Sequence, residues 1–273
     1  GMRYISRVRS NSNNSIQDVF NQIFKPIQDA EAEHGAVIQD AAWAKTNLAF
    51  AGELYLGHLR YGTFGNNSID YVHPVMRENN WRSRNLVMAG NFNLTNVDEI
   101  FKALENLGQH PKDISDTVTI LENVGHFLDE EIQLLFRQFK NEGLTNAEIS
   151  FAIEKDLNVR QILERSSRRW DGGYAIAGMF GHGDAFVARD PWGIRPVNYY
   201  ADDEIVVVAS ERPVIQTAMR VKYDQIQELK PGHALIIKKD GRVSEELVRV
   251  PQERKSCSFE RIYFSRGSDR SIY

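Results

Sequence analysis

From Gly172 to Val250 the chain is a succession of short runs, "GGYAIAGMF", "DAFVARD", "VNYYA", "EIVVVAS", "HALIIKK" and "RVSEELVRV", each rich in Val, Ile, Tyr or Ala and bounded by turn residues. Such a series predicts an antiparallel sheet and confines the helices to what precedes it. There the patterning is different. "TNVDEIFKAL" carries a Thr/Asn cap and acidic residues in the first turn, where the helix dipole favours them. Two further helices are expected at roughly 117–141 and 145–169, the second opening on "TNAE", a Thr with Glu three residues on, which is a capping box. Earlier still, "ELYLGHLRYGT" alternates like a strand running into a loop, and "NLVMAG" reads as a second strand ending at Gly90. Strands at both ends with helices between predict an α+β domain of helices packed on sheets, not a βαβ repeat.

The first 50 residues stand apart as a helical or irregular segment. "SNSNNS" is a turn-forming stretch whose last serine can cap a helix through about His34, with Ile16, Val19, Phe20, Ile23, Phe24 and Ile27 on a helical period. Pro26 lies inside that pattern and is expected to kink or divide it.

Composition narrows the function classes. With 33 basic against 37 acidic residues, a net charge of −4, the chain has no global field to attract nucleic acid or an anionic membrane. The single cysteine, Cys257, excludes an internal disulfide and a cysteine-rich metal cluster and fits the cytoplasm. No run is long enough for a membrane span, and no signal peptide is legible. No metal or cofactor is implied.

Three groups could recognise a ligand. In "GHLRYGT", Arg60 at a strand end suits bidentate capture of a carboxylate, with Gly62 and Gly65 leaving room against the backbone. In "GNFNLTN", the Asn91 amide and an adjacent backbone N–H can face charge developing on a carbonyl oxygen. In "ISDTVTI", Asp116 can hold an ammonium group. Each has an ordinary alternative: a hydrogen-bonded core His58 beside a surface Arg60, a turn at Asn91, and an acidic residue on a helix dipole at Asp116. Together they describe a pocket for an amino acid such as glutamine.

At this point the sequence resembles the class II glutamine amidotransferases of the N-terminal-nucleophile type, most closely the glutaminase domain of the amidophosphoribosyltransferases. The resemblance rests on "GELYLGHLRYGT", "YVHP", "GNFNLTN", "SDT", "WDGGYAIAGM", "ARDPWGIRPV", "VVASE", "ELKPGHALII" and "CSFERIYFSR", which run in family order from about residue 52. It implies an αββα sandwich of two antiparallel sheets between helical layers, with a glutaminase-like domain over 51–250. It also implies that 251–273 connects to a phosphoribosyltransferase domain. Glutamine or glutamate would be the ligand. Arg60 would hold its α-carboxylate, Asp116 its α-ammonium, Thr63 would line the pocket, and Asn91 with the N–H of Phe92 would form the oxyanion hole. Arg189, Asp190 and Arg195 would form a salt-bridged turn linking strands.

The sequence departs from that family in three places. The family nucleophile is a cysteine at the mature N-terminus, whereas this chain begins Gly-Met-Arg-Tyr and its cysteine lies at position 257. "GM" reads as a tag remnant, so the expectation is a chain from which the first, nucleophile-bearing strand has been removed, inactive as it stands. Cys257 is expected to be an apolar filler. Phe92 stands where the family usually has glycine, at a φ that Phe would pay to adopt, and Gly90 stands where histidine is frequent. Asp202 and Asp203 precede an apolar run rather than follow it, so they read as a hairpin turn and not as a phosphate site. An exposed sheet edge would suit a homo-oligomer. The competing reading is a non-catalytic glutamine-sensing or protein-interaction module. "CSFERIYF" argues against asparagine or glucosamine-phosphate synthase.

Overall fold

Period-two patterning along the strands decides how the layers stack. The computed structural model describes residues 5–59, 68–111 and 113–263. In chain order the elements are α1 (Ser15–His34), α2 (Ala41–Asn47), β1 (Val75–Arg77), β2 (Leu86–Leu94), α3 (Val97–Asn106), α4 (Asp116–Asn141), α5 (Asn146–Asp156) and α6 (Val159–Ser167). They continue with β3 (Gly172–Phe180), β4 (Ala185–Arg189), β5 (Asn198–Ala201), β6 (Val206–Ala209), α7 (Arg212–Met219), β7 (Gln227–Glu228), β8 (His233–Ile237), β9 (Val243–Leu247) and α8 (Ser258–Tyr263). The strands pair antiparallel in two sheets, one in the order β1-β2-β3-β4-β8-β9 and one in the order β6-β5-β7.

One face of the larger sheet, with Leu86, Met88, Ile176, Phe186 and Ile236, packs on the stripe Ile120, Val124, Leu128 and Ile132 of α4 and on apolar residues of α5 and α6. The alternate residues Ala175, Ala177, Val187, Leu235 and Ile237 pack on Val197, Tyr199, Val206 and Val208 around the smaller sheet. Helix α7 packs against β5 and β6 and buries Ile215. The αββα sandwich expected from the sequence is therefore present. The Tyr199 hydroxyl, bonded to Gln227 at 2.7 Å and Glu245 at 3.0 Å, ties the smaller sheet to β9.

The link between the sheets is built on one carboxylate. Asp190, fully buried, accepts from the amides of Trp192, Ile194 and Arg195 at 3.0 Å each and of Tyr174 at 3.3 Å. Beside it, Arg189 donates to the carbonyls of Arg195, Leu229 and Gly193 and pairs with Glu228 at 2.8 Å. "ARDPWGIRP" is thus a strand-linking turn as expected, but its carboxylate binds backbone amides, and the ion pair reaches across to β7. Gly193 takes φ +64°, which the tight turn under Asp190 requires.

Several expected elements take other forms. "ELYLGHL" is not a strand through residue 59, because it has no partner strand among the described residues. β2 does not stop at Gly90 but continues to Leu94 against β3. The helix expected over 145–169 is two helices: the chain breaks at Leu157, and the Asn158 side chain caps α6 by accepting from Gln161 N at 3.0 Å. Helix α1 runs through Pro26 undivided, since losing a single N–H leaves the other turns intact, and it buries none of its side chains. Cys257 is half-buried rather than core, because the flanking 251–256 are exposed. The capping box at Thr145 and Glu148 and the hairpin turn at Asp202, which accepts from Glu204 N and Ile205 N, are as expected. No described helix is long and apolar enough to cross a membrane.

Replacing Asp190 by Asn sets an NH2 against buried amides, so D190N should lose about 3 kcal/mol or more of stability in urea unfolding, with the midpoint as the readout. Glu131 of α4 is buried, and desolvation holds its carboxyl above the ordinary range although Arg165 opposes this. A raised carboxyl gives a contribution present at low pH and lost as pH rises through the carboxylate range. The stability advantage of E131Q over the unsubstituted chain should therefore grow between about pH 4 and pH 7.

Candidate functional site

Strand β1 covers only part of the outer edge of β2, pairing Val75 with Met88, Met76 with Val87 and Arg77 with Leu86. Past Met88 that edge has no strand partner among the described residues, and His73 takes its place, with Gly90 N donating to its Nδ1 at 3.1 Å. Amides alternate sides along a strand. The Phe92 N–H therefore leaves β2 by the same open edge as Gly90, and the Asn91 N–H points inward to β3.

Phe92 sits opposite Tyr174 in regular ladder, and its φ is not positive. The conformational cost expected from replacing glycine at this position does not arise. Gly90 explains how: a Cβ there would lie 2.5 Å from the Ala175 carbonyl and 3.1 Å from the Phe92 ring. The ring occupies the volume that a side chain at 90 would need. The Asn91 side chain, opposite Ala175, is on the face turned to the smaller sheet.

Asp116 opens α4. Ser115 caps the helix by accepting from Val118 N, while Asp116 Oδ1 accepts from Thr117 N at 2.7 Å and from Thr117 Oγ1 at 3.3 Å. The buried Thr117 hydroxyl also meets His73 Nε2 at 3.3 Å. The His73 ring is stacked on His58 at 4.5 Å and tilted to Phe92 at 5.6 Å. His58, half-buried and outside any strand, is a wall of this cluster and not the strand residue expected. The segment before His73 is clamped from two sides. Arg9, its guanidinium pushed down by burial, donates to Val72 O at 3.1 Å, and the Tyr71 phenol is pushed up by its hydrogen bond to Asp113.

The structure thus brings Phe92 and Asp116 to one cluster, joined by His73 and Thr117, which sequence reasoning did not single out. "YVHP" and "SDT" contain both residues, but nothing in their spacing relates them. Arg60 and Thr63 lie outside the described residues. Among the described residues no group of three His, Cys, Asp or Glu could hold a metal ion.

Comparison with known proteins places this architecture. The chain matches no protein-family model. It is 31% identical over 221 residues to amidophosphoribosyltransferase of Bacillus subtilis, covering 79% of the chain and 38% of that protein. It is 27% identical over 237 residues to amidophosphoribosyltransferase of Escherichia coli, covering 84% and 42%. Among solved structures it superposes on glutamine phosphoribosylpyrophosphate amidotransferase from B. subtilis in complex with ADP and GMP, with TM-score 0.53, 26% identity, 77% of the chain and 38% of that chain. The sandwich is that of the N-terminal-nucleophile hydrolases. Within that class, the chain corresponds to the class II glutamine amidotransferase domain of amidophosphoribosyltransferases. It spans about two fifths of the length of the curated relatives it matches.

Because backbone at Ala175 cannot withdraw, Gly90→Ala should cost on the order of 2 kcal/mol in urea unfolding. Adding Phe92→Leu should recover part of that loss by freeing the contact at 3.1 Å.

Proposed function

We propose that the chain is the glutamine-binding unit of an amidophosphoribosyltransferase-like protein at the start of purine nucleotide synthesis, in the cytoplasm. The observation that carries this reading is the outer edge of β2, where Gly90 N is bonded through His73 and Thr117 to Asp116 and where strand alternation sends the Phe92 amide to the same side. A strand amide at an edge with no strand partner among the described residues is a donor fixed before any ligand arrives, so stabilising an oxyanion there needs little reorganisation. In this reading Arg60 grips the α-carboxylate through a two-pronged bond. Asp116 takes the α-ammonium, Thr63 lines the pocket, and the Asn91 amide joins the Phe92 N–H at the carbonyl oxygen.

Hydrolysis also needs a thiol with an adjacent base. The single cysteine of the sequence, Cys257, stands half-buried just before α8, on an otherwise exposed segment. We infer that this chain binds glutamine, that Cys257 is not the thiol of ammonia release, and that 251–273 leads to a phosphoribosyltransferase domain that would use ammonia. A purely glutamine-sensing module would have the same pocket.

Glutamate at millimolar concentration should raise the melting temperature by mass action, and Arg60→Ala or Asp116→Ala should abolish the rise; no rise in the unsubstituted chain refutes the pocket. Cys257→Ala should leave any release of ammonia from glutamine unchanged, and a loss of release on that substitution overturns the inference about the thiol.

A further inference from the structure

We propose that His73 is a positioning residue, which fixes the oxyanion edge of β2 to the ammonium-binding carboxylate through a one-directional chain of hydrogen bonds. The proposal rests on the glutamine-site reading for what the chain serves, and on geometry alone for its existence.

The direction follows from the donors. The Gly90 amide can only donate, so the His73 Nδ1 that it meets at 3.1 Å carries a lone pair. A neutral imidazole then has its proton on Nε2, which faces Thr117 Oγ1 at 3.3 Å. The hydroxyl accepts that proton's bond and donates its own hydrogen to Asp116 Oδ1 at 3.3 Å. Gly90 N–H, His73, Thr117 and Asp116 form a single set in which every group has one role. Reversing any bond places two donors or two acceptors face to face.

Burial makes this order matter. His73 is 5% exposed and Thr117 3%, so water does not replace a lost partner. The ring is stacked on His58 and meets Phe92 in a tilted contact. Other ionisable groups around it act on neighbouring atoms: Asp113 on Tyr71, and Arg9 on the carbonyls of residues 70 and 72. Among the described residues, Asp116 is the carboxylate that hydrogen bonds through Thr117 connect to His73. The consequence is that the edge carrying the Phe92 amide and the carboxylate at the head of α4 keep a fixed separation, as a ligand with an amide carbonyl and an α-ammonium requires.

Two measurements test the inference. Long-range proton–nitrogen correlation on histidine-labelled protein, with the His73 signals assigned by their loss in His73→Gln, should show His73 as the Nε2–H tautomer; the Nδ1–H tautomer or an imidazolium at neutral pH overturns the chain of bonds. Glutamate titration followed by thermal shift supplies the second. Gln offers an acceptor and a donor, so H73Q should bind glutamate within about threefold of the unsubstituted chain. Thr117→Val, which keeps His73 and the ring stack, should weaken binding about tenfold, the loss of one buried bond to a charged group. Unchanged affinity in a folded T117V protein overturns the positioning role. If the unsubstituted chain shows no glutamate shift, the glutamine-site reading fails, and with it the service of His73 to that ligand, whereas the tautomer still decides whether the bonds exist.

Discussion

Two sheets stacked face to face need a crossover that leaves one plane and enters the next, and its amides must be satisfied where no third strand can reach them. The Asp190 carboxylate does this for the present chain. Its two oxygens take four amides from the turn and from β3, so one buried charge replaces a stretch of ladder. A carboxylate accepts at both oxygens and is stabilised by each donor. Arg189, adjacent in sequence and on the opposite face, collects the carbonyls that the same turn leaves over. Placing β5 over β4, and hence Ala175 and Val187 under the smaller sheet, depends on this pair.

The candidate site is built on the far margin of the same sheet, where order is obtained by withholding a strand. β1 ends its pairing at Val75, and a histidine side chain substitutes for the next backbone acceptor. A side chain can satisfy Gly90 and leave Phe92 without a strand partner at that edge among the described residues, which a continuing strand could not. The exchange of bulk between 90 and 92 belongs to the same economy of space: the ring that Phe92 contributes fills the gap above Gly90 and forms one wall around His73.

Much of the fold was legible in the sequence where the signal is local. The box at Thr145 and Glu148, the Asp202 turn and the alternating runs after Trp170 each report on neighbours within a few residues. The division of α5 from α6 was not legible, because Ile153, Val159 and Ile162 continue an apolar period across a cap at Asn158. The partition of the strands into two sheets was implied only by resemblance, since alternation does not say which strand pairs with which. In the site, Asn91, Phe92 and Asp116 were singled out by residue type. His73 and Thr117, 44 positions apart, were not, since a bond between distant residues leaves no mark on either segment. The strand reading of "ELYLGHL" failed because alternation alone forms no strand without an edge to pair with.

The pairing of β2 with β3 is unbroken from Leu86 opposite Phe180 to Leu94 opposite Gly172. Its length is therefore as constrained as its composition. An inserted residue between Leu86 and Gly90 would send the amide now facing the open margin into the interior of the sheet and turn Phe92 toward the wrong layer. Variation in this part of the chain is consequently confined to exchange of side chains, and insertions and deletions are left to the connections on either side.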